Sequence, residues 1–140
     1  MPLETRRRRI FIAEDDRNLL ELLTTRLALA GYDPAYGRDG WEALDGIHNT
    51  RPAAIVLDVN MPRLDGFGVL RHLKKSPNVA GIPVMMLTAR NAPGDIREAL
   101  ALGARDYLAK PFTDAQLLAR LARLLRPRPS SPPTKESVLI

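Results

Sequence analysis

Two short runs in this sequence, Ala53–Leu57 and Pro83–Leu87, carry no polar side chain, and each stops abruptly at one, Asp58 and Thr88. A strand with one face in water alternates apolar and polar residues, so strands without alternation must be covered on both faces. That condition calls for a parallel sheet with helices above and below it. The rest of the chain supplies the pieces. Ile10–Ala13 is a third apolar run, ending at Glu14, Asp15 and Asp16. Tyr32–Tyr36 reads as a weaker strand, and Asp106–Ala109 as a short one broken by Lys110 and Pro111.

Helical spacing fills the intervals. Arg17 to Ala30 carries Leu19, Leu20, Leu22, Leu23 and Leu27, and Gly31 closes it as a C′ residue would. Asp39 is the expected N-cap of a helix through Trp41, Ala43, Leu44 and Ile47. Met61–Gly66 reads as a loop before a helix over 67–75 with Val69, Leu70 and Leu73 inward. Asp95–Leu102 is helical and closed by Gly103, while Thr113 caps a last helix with Leu117, Leu121, Leu124 and Leu125 on one side. Five strands alternating with five helices predict a doubly wound α/β domain. In such sheets ligands sit at the carboxyl ends of the strands.

That rule gathers Glu14, Asp15, Asp16, Asp58, Thr88 and Lys110 on one edge. Carboxylates crowded into a pocket either take up protons or hold a cation. Glu14, Asp15 and Asp58, with the backbone carbonyl of Asn60, form an all-oxygen set without His or Cys. Hard oxygen ligands favour magnesium, with manganese as the alternative, over zinc. Asp58 is the expected nucleophile, since carboxylates form acyl phosphates. Lys110, as a point charge, and the Thr88 hydroxyl would meet the oxygens of a phosphoryl group in transit. Asp16 is either the N-cap of the first helix or a contact to the metal's water shell.

Charge and composition narrow the alternatives. The chain carries a net charge of +5, but residues 10–125 hold 14 basic and 14 acidic side chains and so are neutral. The excess lies in residues 1–9 and 126–140, with no aromatics among the arginines, which does not point to direct nucleic-acid binding. Cysteine is absent, which excludes thiol chemistry and zinc thiolates. No apolar run is long enough to span a membrane, so a cytoplasmic protein is expected. Four prolines in residues 127–133 predict a Pro/Ser-rich tail or linker over 127–140, after a domain of residues 10–126 and a basic extension of residues 1–9.

The segments Ile10–Asp16, Ile55–Phe67, Met85–Arg90 and Gly103–Phe112 together resemble the receiver domains of two-component signalling. The resemblance covers roughly residues 9–126, in order and at family spacing. It implies a flavodoxin-like fold with strand order 2-1-3-4-5. By position it carries the metal acids onto Glu14 and Asp15, the phospho-acceptor onto Asp58 and the metal-binding carbonyl onto Asn60. The switch pair falls on Thr88 and Tyr107, and the phosphate-pairing lysine on Lys110. The resemblance also implies that Asn60 and Arg90 flank the site at positions that tune the lifetime of the acyl phosphate in the family. The other reading of Tyr107 is a strand tyrosine packed on the last helix.

The resemblance further implies phosphoryl transfer from a sensor histidine kinase or a phosphotransfer protein. Output to a domain or protein partner would then run through the fourth helix, fifth strand and fifth helix. Arg120 and Asp106 fit the acid–base pattern of receivers that dimerise there, but Ala101, Arg105 and Gln116 stand where an acid is usual. Arg120, Arg123 and Arg126 form a basic stripe instead. Trp41 is expected to serve packing, and His48 and His72 to lie on helix surfaces away from the site. Three other classes compete with this reading. A haloacid-dehalogenase-like phosphatase needs a second Asp where Asn60 stands. A phosphorylation-independent binding module would lack one of the pocket residues, and a small DNA-binding protein would lack the acidic pocket.

Overall fold

The computed structural model describes residues 7–89 and 92–127. Arg90, residues 1–6 of the basic extension and nearly all of the tail expected over 127–140 lie outside them. Among the described residues five strands, β1 (Arg9–Ala13), β2 (Asp33–Gly37), β3 (Ala54–Asp58), β4 (Val84–Ala89) and β5 (Asp106–Lys110), alternate with five helices. The helices are α1 (Arg17–Leu29), α2 (Gly40–Thr50), α3 (Gly66–Lys74), α4 (Pro93–Ala101) and α5 (Asp114–Leu124). All strand pairs are parallel, in the order β2-β1-β3-β4-β5. This is the flavodoxin-like doubly wound sheet that the apolar strands require.

Side chains leaving the sheet alternately build two separate cores. Ile10, Ile12, Ala54, Val56, Met85 and Leu87 meet α1 and α5 through Leu20, Leu23, Leu27, Leu117, Leu121 and Leu124. On the other side Phe11, Ala13, Ile55, Leu57, Val84 and Met86 meet α2, α3 and α4. Each fully buried Leu or Ile contributes about 1.5–3 kcal/mol over an exposed one, so the sheet is the rigid part of the molecule.

Local signals place the helix ends as expected. Asp16 accepts from the Asn18 and Leu19 N–H groups, and Asp39 from those of Trp41 and Glu42. Thr113 and Gln116 form a reciprocal capping box. Gly31 follows α1 in the left-handed conformation (φ 100°), which a side-chain-bearing residue adopts at a cost.

Several boundaries move. β2 begins one residue later than the apolar pattern suggests, because its register is set by Arg9 opposite Asp33, an ion pair at 2.6 Å. α4 starts at Pro93 rather than Asp95, with proline in its first turn. Asp58, Thr88 and Lys110 belong to their strands rather than following them. Their backbones are therefore fixed by the sheet and not by loops.

Candidate functional site

The carboxyl ends of the three central strands and of β5 bring polar groups into an otherwise apolar interior. Glu14, Asp58 and Thr88 are 1%, 4% and 0% exposed, each of them buried against the usual preference of its residue type. Register explains the convergence. Asp58 of β3 stands beside Leu87, and Thr88 of β4 beside Ala109, the residue before Lys110. Lys110 Nζ lies 3.1 Å from Asp58 Oδ1 and 3.3 Å from Glu14 Oε1, so one ammonium bridges two buried acids. Glu14 also accepts the Asp16 N–H at 3.0 Å. The peptide between Lys110 and Pro111 is cis.

The two charged partners respond in opposite balance. Burial raises the Glu14 pKa above the usual carboxylate range and the charge of Asp58 adds to it, against the Asp16 N–H and Lys110. For Lys110, burial pulls the ammonium down, but Asp58 and Glu14 more than offset it and the pKa is raised. A carboxyl whose folded pKa exceeds its unfolded one favours folding while protonated. That contribution is lost as pH rises through the raised value. At neutral pH ionised Glu14 therefore costs stability. Glu14→Gln, which keeps the acceptor for Asp16, is expected to raise Tm by about 2–4 °C at pH 7 in chelator. The difference should disappear on acidification, when wild-type Glu14 is itself neutral; thermal denaturation across pH checks this.

The donor set fits a hard divalent cation. Three carboxylates with one ammonium leave a surplus of two negative charges, and every candidate donor is oxygen. Asp15 and Asn60 are exposed and line an open cleft of about 490 Å³ with Met61, Pro62 and Asp65. Among the described residues no three acids are already drawn into a tight cluster. Glu14 and Asp58 turn to Lys110, while Asp15 lines the cleft. The Thr88 hydroxyl is buried and has no hydrogen-bond partner among the described residues. Such a group is costly unless something comes to meet it.

The sheet thus gathers Glu14, Asp58, Thr88 and Lys110, and the adjoining cleft adds Asp15 and Asn60. Asp16 caps α1. Tyr107 is half-buried and packs on the side of α2, α3 and α4, with the Arg120 guanidinium 5.7 Å from its ring centre. Tyr107 thus meets both the core of α2, α3 and α4 and, through Arg120, the last helix. Trp41 is 51% exposed and packs nearly perpendicular to the His72 ring, with centroids 5.4 Å apart. His48 is exposed. Arg120 and Arg123 both bind Asp106 of their own chain, at 2.7 and 3.2 Å.

Sequence reasoning missed a groove of about 500 Å³ lined by Asp16, Leu19, Leu22, Ala89, Lys110, Pro111 and Phe112. The signal was present in α1. Six leucines exceed what one buried stripe absorbs, and of them only Leu20, Leu23 and Leu27 are buried. Leu22 is left 41% exposed beside the site.

Comparison with known proteins agrees with this fold. Residues 10–122 match the family model of the response regulator receiver domain. Over 118 residues the chain is 47% identical to the response regulator MprA of Mycobacterium sp. (strain KMS), a match covering 84% of this chain and 50% of that protein. The chain thus spans about half the length of the curated relatives it matches. Among solved structures, the chemotaxis protein CheY4 of Vibrio cholerae superposes with a TM-score of 0.81 at 31% identity, covering 86% of this chain and all of that one. The receiver domain of the sensor histidine kinase PA1611 of Pseudomonas aeruginosa, solved with a magnesium ion coordinated in its active site cleft, gives 0.80 at 32%, covering 86% and 98%.

Proposed function

This chain belongs to the family of response regulator receiver domains, and we propose that it takes a phosphoryl group onto Asp58 and converts that charge into a change of surface. One observation carries the reading. Buried Asp58 and Glu14 share Lys110 at the carboxyl end of a parallel sheet, beside an unpartnered Thr88 hydroxyl. The phosphatase alternative lacks support, since Asn60 stands where its second acid belongs.

The residues divide the work by chemistry. The Asp58 carboxylate attacks phosphorus in line, the bond to the donor's nitrogen or oxygen breaks, and the donor leaves with its electron pair. Lys110, already 3.1 Å from Asp58, balances charge on one phosphoryl oxygen. Thr88 donates its hydroxyl to another, gaining the partner it otherwise lacks. Glu14, Asp15, Asp58 and the Asn60 carbonyl would hold the magnesium ion, with manganese as the alternative, which neutralises phosphoryl charge when bound. The apolar groove around Leu22 and Phe112 is where a histidine kinase or phosphotransfer protein would rest, next to Lys110. The receiver itself is taken as residues 10–126, the basic N-terminal run and the Pro/Ser-rich tail as its flanks, and the cytoplasm as its place.

Movement of Thr88 toward the phosphoryl group frees space beside Tyr107, whose rotation repacks α4, β5 and α5 for an output domain or partner. α4 suits that role. Ala99 is its only buried residue, Ala92 gives it no side-chain cap, and its tie to α3 is the exposed Arg71–Glu98 pair. Because Asp106 is already engaged by Arg120 and Arg123 within the chain, this face presents arginines to a partner.

Beryllofluoride, which mimics a phosphoryl group on a carboxylate, tests the reading by NMR. Wild-type protein with magnesium should bind it and shift the Tyr107 ring resonances. Thr88→Val should still bind it and leave Tyr107 unmoved, while gaining about 1 kcal/mol in stability from loss of the unpartnered hydroxyl. Absence of binding to wild type would leave a receiver fold working as a phosphorylation-independent binding module.

A further inference from the structure

The wall of the cleft opposite Asp15 is the segment from Asn60 to Asp65, between β3 and α3. A loop of this length needs anchors if it is to present a carbonyl at a fixed place. Its start is tied to the sheet by Val59 N–H to Leu87 O at 3.1 Å, and its two ends are joined by Gly66 N–H to Val59 O at 2.8 Å. Its tip is tied to a different element. Arg63 Nε lies 3.2 Å from Asp39 Oδ2, across the boundary between the loop and the start of α2.

Three features set this pair apart from an ordinary surface ion pair. The Asp39 side chain is only 10% exposed, although that of Arg63 is 67% exposed. Asp39 has two jobs on two oxygens: Oδ1 accepts the Trp41 and Glu42 N–H groups that begin α2, and Oδ2 faces Arg63. Arg63 adopts φ 72°, the left-handed region that residues with a side chain rarely occupy, so something must hold it there. Next to it the loop lies flat on α2. Any side chain at Gly40 would collide with the Leu64 carbonyl oxygen.

We propose that Asp39, Gly40 and Arg63 form a latch that fixes the 60–65 loop against α2, and that Arg63 and Asp39 are thereby positioning residues for the cation site. Neither touches the cation. Their effect is to hold the loop that carries Asn60 at the distance from Asp15 that a small, octahedral ion demands. The inference rests on the metal reading of Glu14, Asp15, Asp58 and Asn60.

Two variants isolate the latch from the helix cap. Asp39→Asn keeps a capping oxygen for Trp41 and Glu42 but no longer attracts Arg63. Arg63→Gly removes the cation and relaxes the left-handed backbone. Calorimetric titration with magnesium alone should give a Kd about tenfold weaker for each. The double variant should be no weaker than either single one, because both break the same contact. Arg63→Lys should recover part of the loss. Without magnesium, Tm should stay within about 2 °C of wild type for both.

A magnesium Kd unchanged in both variants would overturn the proposal. So would additive losses in the double variant, or losses accompanied by an equal fall in Tm without the ion. If wild type itself takes no magnesium, the metal reading fails. The latch is then decided by amide exchange at residues 61–65, where faster exchange in Arg63→Gly supports it and unchanged exchange overturns it.

Discussion

Lys110→Ala is expected to lower Tm by about 5–10 °C at pH 7, roughly 2 kcal/mol, and to abolish phosphoryl uptake. The lysine is the shared counter-charge of Glu14 and Asp58, at 3.3 and 3.1 Å. Its removal leaves two buried like charges with nothing between them. Breaking a buried pair costs about 3–5 kcal/mol where water is excluded. Here Lys110 is itself 29% exposed, and proton uptake by Glu14, already displaced upward, relieves part of the strain. The loss should therefore shrink as pH falls into the carboxylate range. The double variant Glu14→Gln, Lys110→Ala should regain most of the stability and none of the uptake. Denaturation midpoints across pH, with phosphoryl uptake from acetyl phosphate, check both halves.

Asp58→Asn should take up no phosphoryl group from acetyl phosphate or from a kinase, because the variant lacks the nucleophilic carboxylate that lies 3.1 Å from Lys110 Nζ. Its stability should move the other way. The variant exchanges a charged side chain, 6% exposed, for a neutral one of the same shape, leaving Lys110 with Glu14 as a balanced pair. A Tm equal to or above that of wild type, together with complete loss of uptake, separates an acceptor from a residue that merely holds the fold. A large drop in Tm would instead make Asp58 a structural partner of Lys110.

The opposed effects of these two substitutions show what kind of information a sequence carries. Ala53–Leu57 and Pro83–Leu87 demand burial on both faces wherever they are placed, so the parallel sheet and its carboxyl-edge residues are legible without coordinates. Asp16, Asp39 and Thr113 are legible for a similar reason, since a cap acts within three residues of itself. What is not legible acts across the chain. β2 takes its register from Arg9, and α4 begins at Pro93 with no side-chain cap to announce it. Trp41 meets a histidine 31 positions away in sequence. The second task of Asp39 appears only when the loop bearing Arg63 is folded onto α2. Lys110 could be assigned a phosphate from its place at the end of β5, but not the present bridge to Glu14. That bridge joins residues 96 positions apart.

Intact-protein mass measurement after incubation with acetyl phosphate and magnesium, followed by peptide mapping, tests the central claim most directly. The account predicts one added phosphoryl group, located on Asp58, absent when magnesium is chelated and absent in Asp58→Asn. No addition under those conditions, or addition that survives in Asp58→Asn, would contradict it.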